Sequence, residues 1–78
     1  PNPFLDYTCI DISGISTPDS LEYQLCDVTG RVYYAQITET SSWEGKRAVL
    51  RKAQLPSGIY FLTIKTLYKY KTVRLCVL

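Results

Sequence analysis

The side chains able to do chemistry are few in this chain, and their types limit what that chemistry could be. No histidine occurs among the 78 residues. Ser-His-Asp and Cys-His nucleophiles cannot be assembled, because each needs an imidazole to take the nucleophile's proton. Cys9, Cys26 and Cys76 stand far apart with no CxxC pair, so nothing in the spacing indicates a zinc site. Three is an odd count, so at least one thiol stays outside any disulfide within the chain. All three lie in apolar runs, where free cysteine reads as a small buried hydrophobe. Asp6, Asp11, Asp19, Glu22 and Asp27 are scattered singly, which reads as solvated surface charge and not as an acid–base pair. Neither GxGxxG nor GxxxxGKS occurs to cradle a phosphate. The expectation is a protein that is not an enzyme and that uses no metal and no cofactor.

Charge is the other chemical resource. The net charge is +2, but it is divided unevenly. Residues 1–45 hold all seven acids and a single base, Arg31; residues 46–78 hold eight bases and no acid. On one reading the two halves pair across sheets and neutralise each other. On the other, the last hairpin offers a basic edge to an anionic partner. The segment "TIKTLYKYKTVR" has the Tyr and Lys content of single-strand nucleic-acid surfaces. The same alternation is what a strand with one core face looks like, and no nucleic-acid partner is expected.

The elements that must position these groups are strands. Hydrophobic residues make up 46% of the chain, enough for a small core, and Tyr alone occurs seven times. No window carries a helical apolar period over three turns. Strands are expected at 6–12, with Thr8, Ile10 and Ile12 on one face, and at 21–28, with Leu21, Tyr23 and Leu25 inward. A tight turn at Thr29–Gly30 returns the chain as one strand over 31–38. Residues 13–20 and 39–46 read as polar loops, the second with Trp43 at its tip. A short strand over 47–51 precedes the turn "LPSG" (55–58), where Pro56 fixes φ and Gly58 relieves it at positive φ. Residues 59–66 are apolar on both faces, as in a central strand. After a bend at 67–70, the last strand (71–78) points Val73, Leu75 and Val77 inward. Ile10, Leu25, Tyr60, Leu62, Ile64 and Leu75 form the expected core. Lys71 shares the parity of the inward residues, so it must lie at the rim with its ammonium reaching water. The fold expected is all-β: a single small antiparallel sandwich over 1–78 with about six to seven strands. No apolar stretch is long enough to cross a bilayer as a helix. The chain opens at "PNPF" without Met and is read as a fragment of a longer secreted protein.

Three blocks in order carry a family resemblance: the opening "PNPF", the hairpin "CDVTGRV", and "LPSGIYFLTIK" followed by a basic strand. The chain resembles the type A C-terminal sorting domain of the type IX secretion system of Bacteroidota. The resemblance implies an immunoglobulin-like β-sandwich that acts as an address. Its implied partners are the outer-membrane translocon, which recognises it, and a sortase, which normally removes it upstream of Pro1. It further implies secretion through the periplasm to the cell surface or the medium. Carried onto this sequence, Pro1, Asn2 and Pro3 match the opening motif, and Asp27 and Gly30 the hairpin. Leu55, Pro56, Gly58 and Tyr60 match the turn and strand. Lys71 and Arg74, with Lys69 in the preceding bend, belong to the terminal basic strand. Gly30 and Gly58 also read as plain turn glycines, and Tyr60 as core. Two other classes compete: a structural or adhesive accessory sandwich of a cell-surface protein, and an inhibitor-like domain using the "ETSSWEGK" loop.

Overall fold

A computed structural model describes residues 3–15 and 21–78. Seven strands form in chain order: β1 (Tyr7–Asp11), β2 (Glu22–Asp27), β3 (Val32–Tyr33), β4 (Gln36–Ser42), β5 (Gly45–Arg51), β6 (Gly58–Lys65) and β7 (Tyr70–Val77). They make two antiparallel sheets, ordered β1-β5-β4 and β3-β2-β6-β7. With β1 as strand B of an immunoglobulin domain, these orders are B–E–D and C′–C–F–G, the connectivity of that fold. Among the described residues, Phe4 holds the place of strand A and makes a parallel bridge to Val77.

The core follows from alternation. Inward positions of both sheets bring Ile10, Ile12, Ala48 and Leu50 against Leu25, Leu62, Ile64 and Leu75, all nearly or fully buried. Burying each large aliphatic side chain stabilises the fold by about 1.5–3 kcal/mol relative to exposure. All six residues expected in the core lie there. β6 is central, between β2 and β7. Its outer face holds half-buried Ile59 and Phe61, which explains its apolar character on both sides.

The structure departs from the sequence reading in three places. The single strand expected over 31–38 is two strands in different sheets. Val32 and Tyr33 pair with β2, the chain crosses over at Tyr34–Ala35, and Ile37 then pairs with Leu50. A period of two reports which face is apolar, not which sheet the strand joins. The loop expected over 39–46 is a hairpin. Pairing continues to Ser42↔Gly45, with only Trp43 and Glu44 in the turn. Thr38, Glu39, Thr40, Ser41 and Ser42 are all exposed, so this stretch carries no apolar alternation to read. Gly45 closes the hairpin at φ 131°. The cysteines are not a buried set: Cys9 is exposed and Cys26 and Cys76 are half-buried, and all three are free thiols. Each occupies the outward parity of its strand. The expected loop over 13–20 lies outside the described residues from position 16 onward.

Candidate recognition surface

The "LPSGIY" block is built from the backbone up. Leu55 N–H donates to Lys52 O at 2.8 Å, which turns the chain out of β5. Gly58 opens β6 at φ 151°, in a region that L side chains rarely adopt. Two residues on, Tyr60 points inward, 2% exposed, and its hydroxyl donates back to Pro56 O at 2.6 Å. This is a tyrosine corner, the device that fixes the E–F turn of immunoglobulin sandwiches. The spacing of Pro56, Gly58 and Tyr60 is set by that bond.

The "CDVTGRV" block is a second turn, organised by one carboxylate. Asp27 Oδ1 accepts from Thr29 N–H (2.9 Å), Thr29 Oγ1 (2.6 Å) and Arg31 N–H (3.0 Å). Gly30, at φ 90°, donates its N–H to Asp27 O. These bonds favour the ionised form, that to the Thr29 hydroxyl most strongly, and hold the Asp27 pKa below the usual carboxylate range. Asp27 Oδ2 accepts from the Tyr33 hydroxyl at 3.1 Å. Tyr33 in turn meets Tyr60 edge to face, with ring centroids 5.3 Å apart. Burial and the neighbouring Asp27 charge raise the pKa of both phenols. Asp27 and Tyr60 also pair directly across β2 and β6. Two sequence blocks about thirty residues apart are therefore one joint at one end of the sandwich. Phe4 and Val77 lie at that same end, beside Gly58.

The cations lie elsewhere. Lys69, Lys71 and Arg74 are all exposed, on the β6–β7 bend and along β7. Thr66 shapes the bend: its Oγ1 accepts from the N–H of Tyr68 and of Lys69, and its own N–H donates to Lys69 O. Lys71 lies at the rim, as expected, and its Nζ donates to Asp11 O at 3.3 Å, across to the other sheet. Among the described residues, the carboxylates within 4 Å of a cation are Glu39, with Lys46, and Glu22, with Lys65. Among the described residues these are the two acid–base pairs, and the three cations of the terminal hairpin have no carboxylate within 4 Å. Leu67, Tyr68 and Tyr70 beside them are largely exposed, a feature that core-centred reading passed over.

Pro3 is exposed next to the buried Phe4, whereas Pro1 and Asn2 lie outside the described residues. Leu55 is buried, and Pro56 shows its ring to solvent. The site residues carried by the resemblance therefore separate into a joint (Asp27, Gly30, Leu55, Pro56, Gly58, Tyr60) and exposed cations that run from the β6–β7 bend (Lys69, Lys71) to the middle of β7 (Arg74).

The family model of the secretion system C-terminal sorting domain matches residues 1–78, the whole chain. The chain belongs to that family. A sorting domain of the type IX system is a secretion signal, so this domain meets the type IX machinery and directs export to the cell surface or the extracellular space. No curated protein and no solved structure matches it. Within the sorting domain, the second and third blocks of the resemblance hold the fold's corner together. Among the described residues, no helix is long and apolar enough to cross a membrane.

Proposed function

We propose that the sorting domain is read in folded form by the outer-membrane translocon, through Lys69, Lys71 and Arg74, and is then cut from its cargo by a sortase. In this reading it reaches the translocon from the periplasm and acts as an address, with no catalysis of its own. One observation carries the reading. The three cations are exposed along the terminal hairpin, Lys69 in the bend, Lys71 at the rim and Arg74 midway along β7, with no carboxylate of the described residues within 4 Å. Charge spent on internal pairing could not steer a partner; charge left free can.

The test is a precursor carrying Lys69→Glu, Lys71→Glu and Arg74→Glu in a type IX-competent host. Export should fall by at least roughly tenfold, the scale of one lost charge-assisted contact. The isolated triple variant should still fold, because all three side chains are exposed, with Lys71→Glu losing the bond to Asp11 O. Normal export of the folded triple variant would show that these charges only keep the edge from aggregating. Sortase action is read separately, as secreted cargo that has lost the domain.

A further inference from the structure

Among the described residues, β7 is an edge strand with most of its outer edge unpaired. Its pairing with β6 runs from Gly58↔Val77 to Lys65↔Tyr70 without a bulge. On the outer side, Phe4 N–H donates to Cys76 O at 3.0 Å and Leu78 N–H donates to Phe4 O at 2.9 Å. Cys76 and Leu78 therefore turn their backbone groups away from β6. In an antiparallel strand the outward groups recur at every second residue. The N–H and C=O of Thr72 and Arg74 must then face outward too. Among the described residues, only Phe4 pairs with this edge, at its far end.

Edge strands of this length usually recruit other strands unless something stops them. Here the guard is charge of a single sign. Arg74 projects on the outer face, Lys71 at the rim of the inner face, and Lys69 at the bend. An added apolar or basic strand would have to desolvate these groups or repel them. A strand rich in carboxylates would find a cation on each of its own faces.

We propose that the sorting domain is recognised by β-strand addition: an extended acidic segment of a partner protein pairs with β7 at Thr72 and Arg74, and Lys71 and Arg74 select it by charge. This rests on the reading of the basic strip under Proposed function and adds the backbone half of the contact. Main-chain hydrogen bonds supply affinity in such complexes, and flanking side chains supply the choice of partner.

The test separates backbone from charge. Thr72→Pro deletes an outward N–H and puts a ring on the edge, while all three cations stay. Proline is tolerated on an edge strand where the N–H faces solvent. Thr72→Ala controls for the hydroxyl contact to Thr63, 3.3 Å away. Amide NMR spectra of the isolated variants establish that they fold. Precursor export should drop roughly tenfold or more with Thr72→Pro relative to Thr72→Ala, which keeps the backbone N–H. Parental export of folded Thr72→Pro overturns strand addition and leaves the charge reading standing. Normal export of the triple Glu variant overturns the acidic partner, whatever Thr72→Pro does.

Should Thr72→Pro fail to fold, the domain made by synthesis with an N-methyl group on the Thr72 amide replaces it. The probe is then a short synthetic peptide of repeated Glu-Glu-Thr, which puts carboxylates on both faces of an extended strand. Saturable shifts of the Thr72 and Arg74 amides are expected in the parent. The Arg74 shift should be lost on N-methylation of Thr72, and both should be absent with lysine in place of glutamate. An Arg74 shift that survives N-methylation overturns the proposal. So does a concentration-dependent doubling of mass with protection of those two amides, which would make the occupant a second copy of this chain.

Discussion

Tyr60→Phe isolates the bond that makes the corner. The substitution keeps the ring, its edge contact with Tyr33 and its burial, and removes only the hydroxyl that donates to Pro56 O at 2.6 Å. A bond of this kind contributes about 0.5–1.5 kcal/mol net, and leaving a buried acceptor unpaired costs about 1–3 kcal/mol. Pro56 is exposed, so water can reach its carbonyl and the loss should stay in the lower part of that range. A value of about 1.5 kcal/mol is a reasonable centre. Unfolding entropy of about 2.1 cal/mol/K per residue gives roughly 0.16 kcal/mol/K for a chain of this size, so Tm should fall by about 9 °C. The assay is thermal unfolding of the isolated domain followed by circular dichroism, with Tyr33→Phe alongside. A Tm within about 2 °C of the parent would refute the corner as a stabilising device. Below the melting range, the folded Tyr60→Phe domain should still direct export at the parental level, because Tyr60 offers almost no surface to a partner. Failure of export by a folded Tyr60→Phe domain would mean that the motif is read directly.

Two further outcomes follow from the same joint. Gly58→Val should cost about 1–3 kcal/mol from backbone strain alone, because a Cβ at that position meets nothing within 4 Å; chemical denaturation that shows no loss would remove the argument. Alkali should also unfold the domain. Tyr33 and Tyr60 have raised pKa values in the fold, so the unfolded chain releases its phenolic protons first. Their contribution is complete below pH ~10 and is lost as pH rises through the folded values. Ionisation of Tyr33 and Tyr60, followed by NMR of each labelled ring, should therefore coincide with unfolding above pH ~10, and ionisation of both rings in a folded domain would contradict it.

Much of the sandwich was written locally. Alternation in 22–27 and 70–77 named the inward residues correctly, because a strand with one buried face has only one register that hides its apolar set. "LPSG" declared a turn, and the positive φ of Gly58 followed from the residue types. The charge split was legible by counting. What residue types could not supply was partnership. Val32–Tyr33 and Gln36–Ser42 look alike as strand formers, and only long-range packing assigns them to different sheets. The Thr38–Ser42 stretch has no apolar face, so its strand exists through backbone pairing with β5, which leaves no mark on side-chain pattern. Cys9 looked interior by its apolar neighbours, but parity places it opposite Val49 on the outer face of its sheet. The joint is the clearest case. Asp27, Tyr33, Pro56 and Tyr60 each have an ordinary local role, and their union depends on β2 and β6 lying side by side. That no carboxylate of the described residues comes within 4 Å of Lys69, Lys71 and Arg74 was likewise decided in three dimensions. Chain order gives their sign, but whether a carboxylate reaches them depends on how the two sheets close.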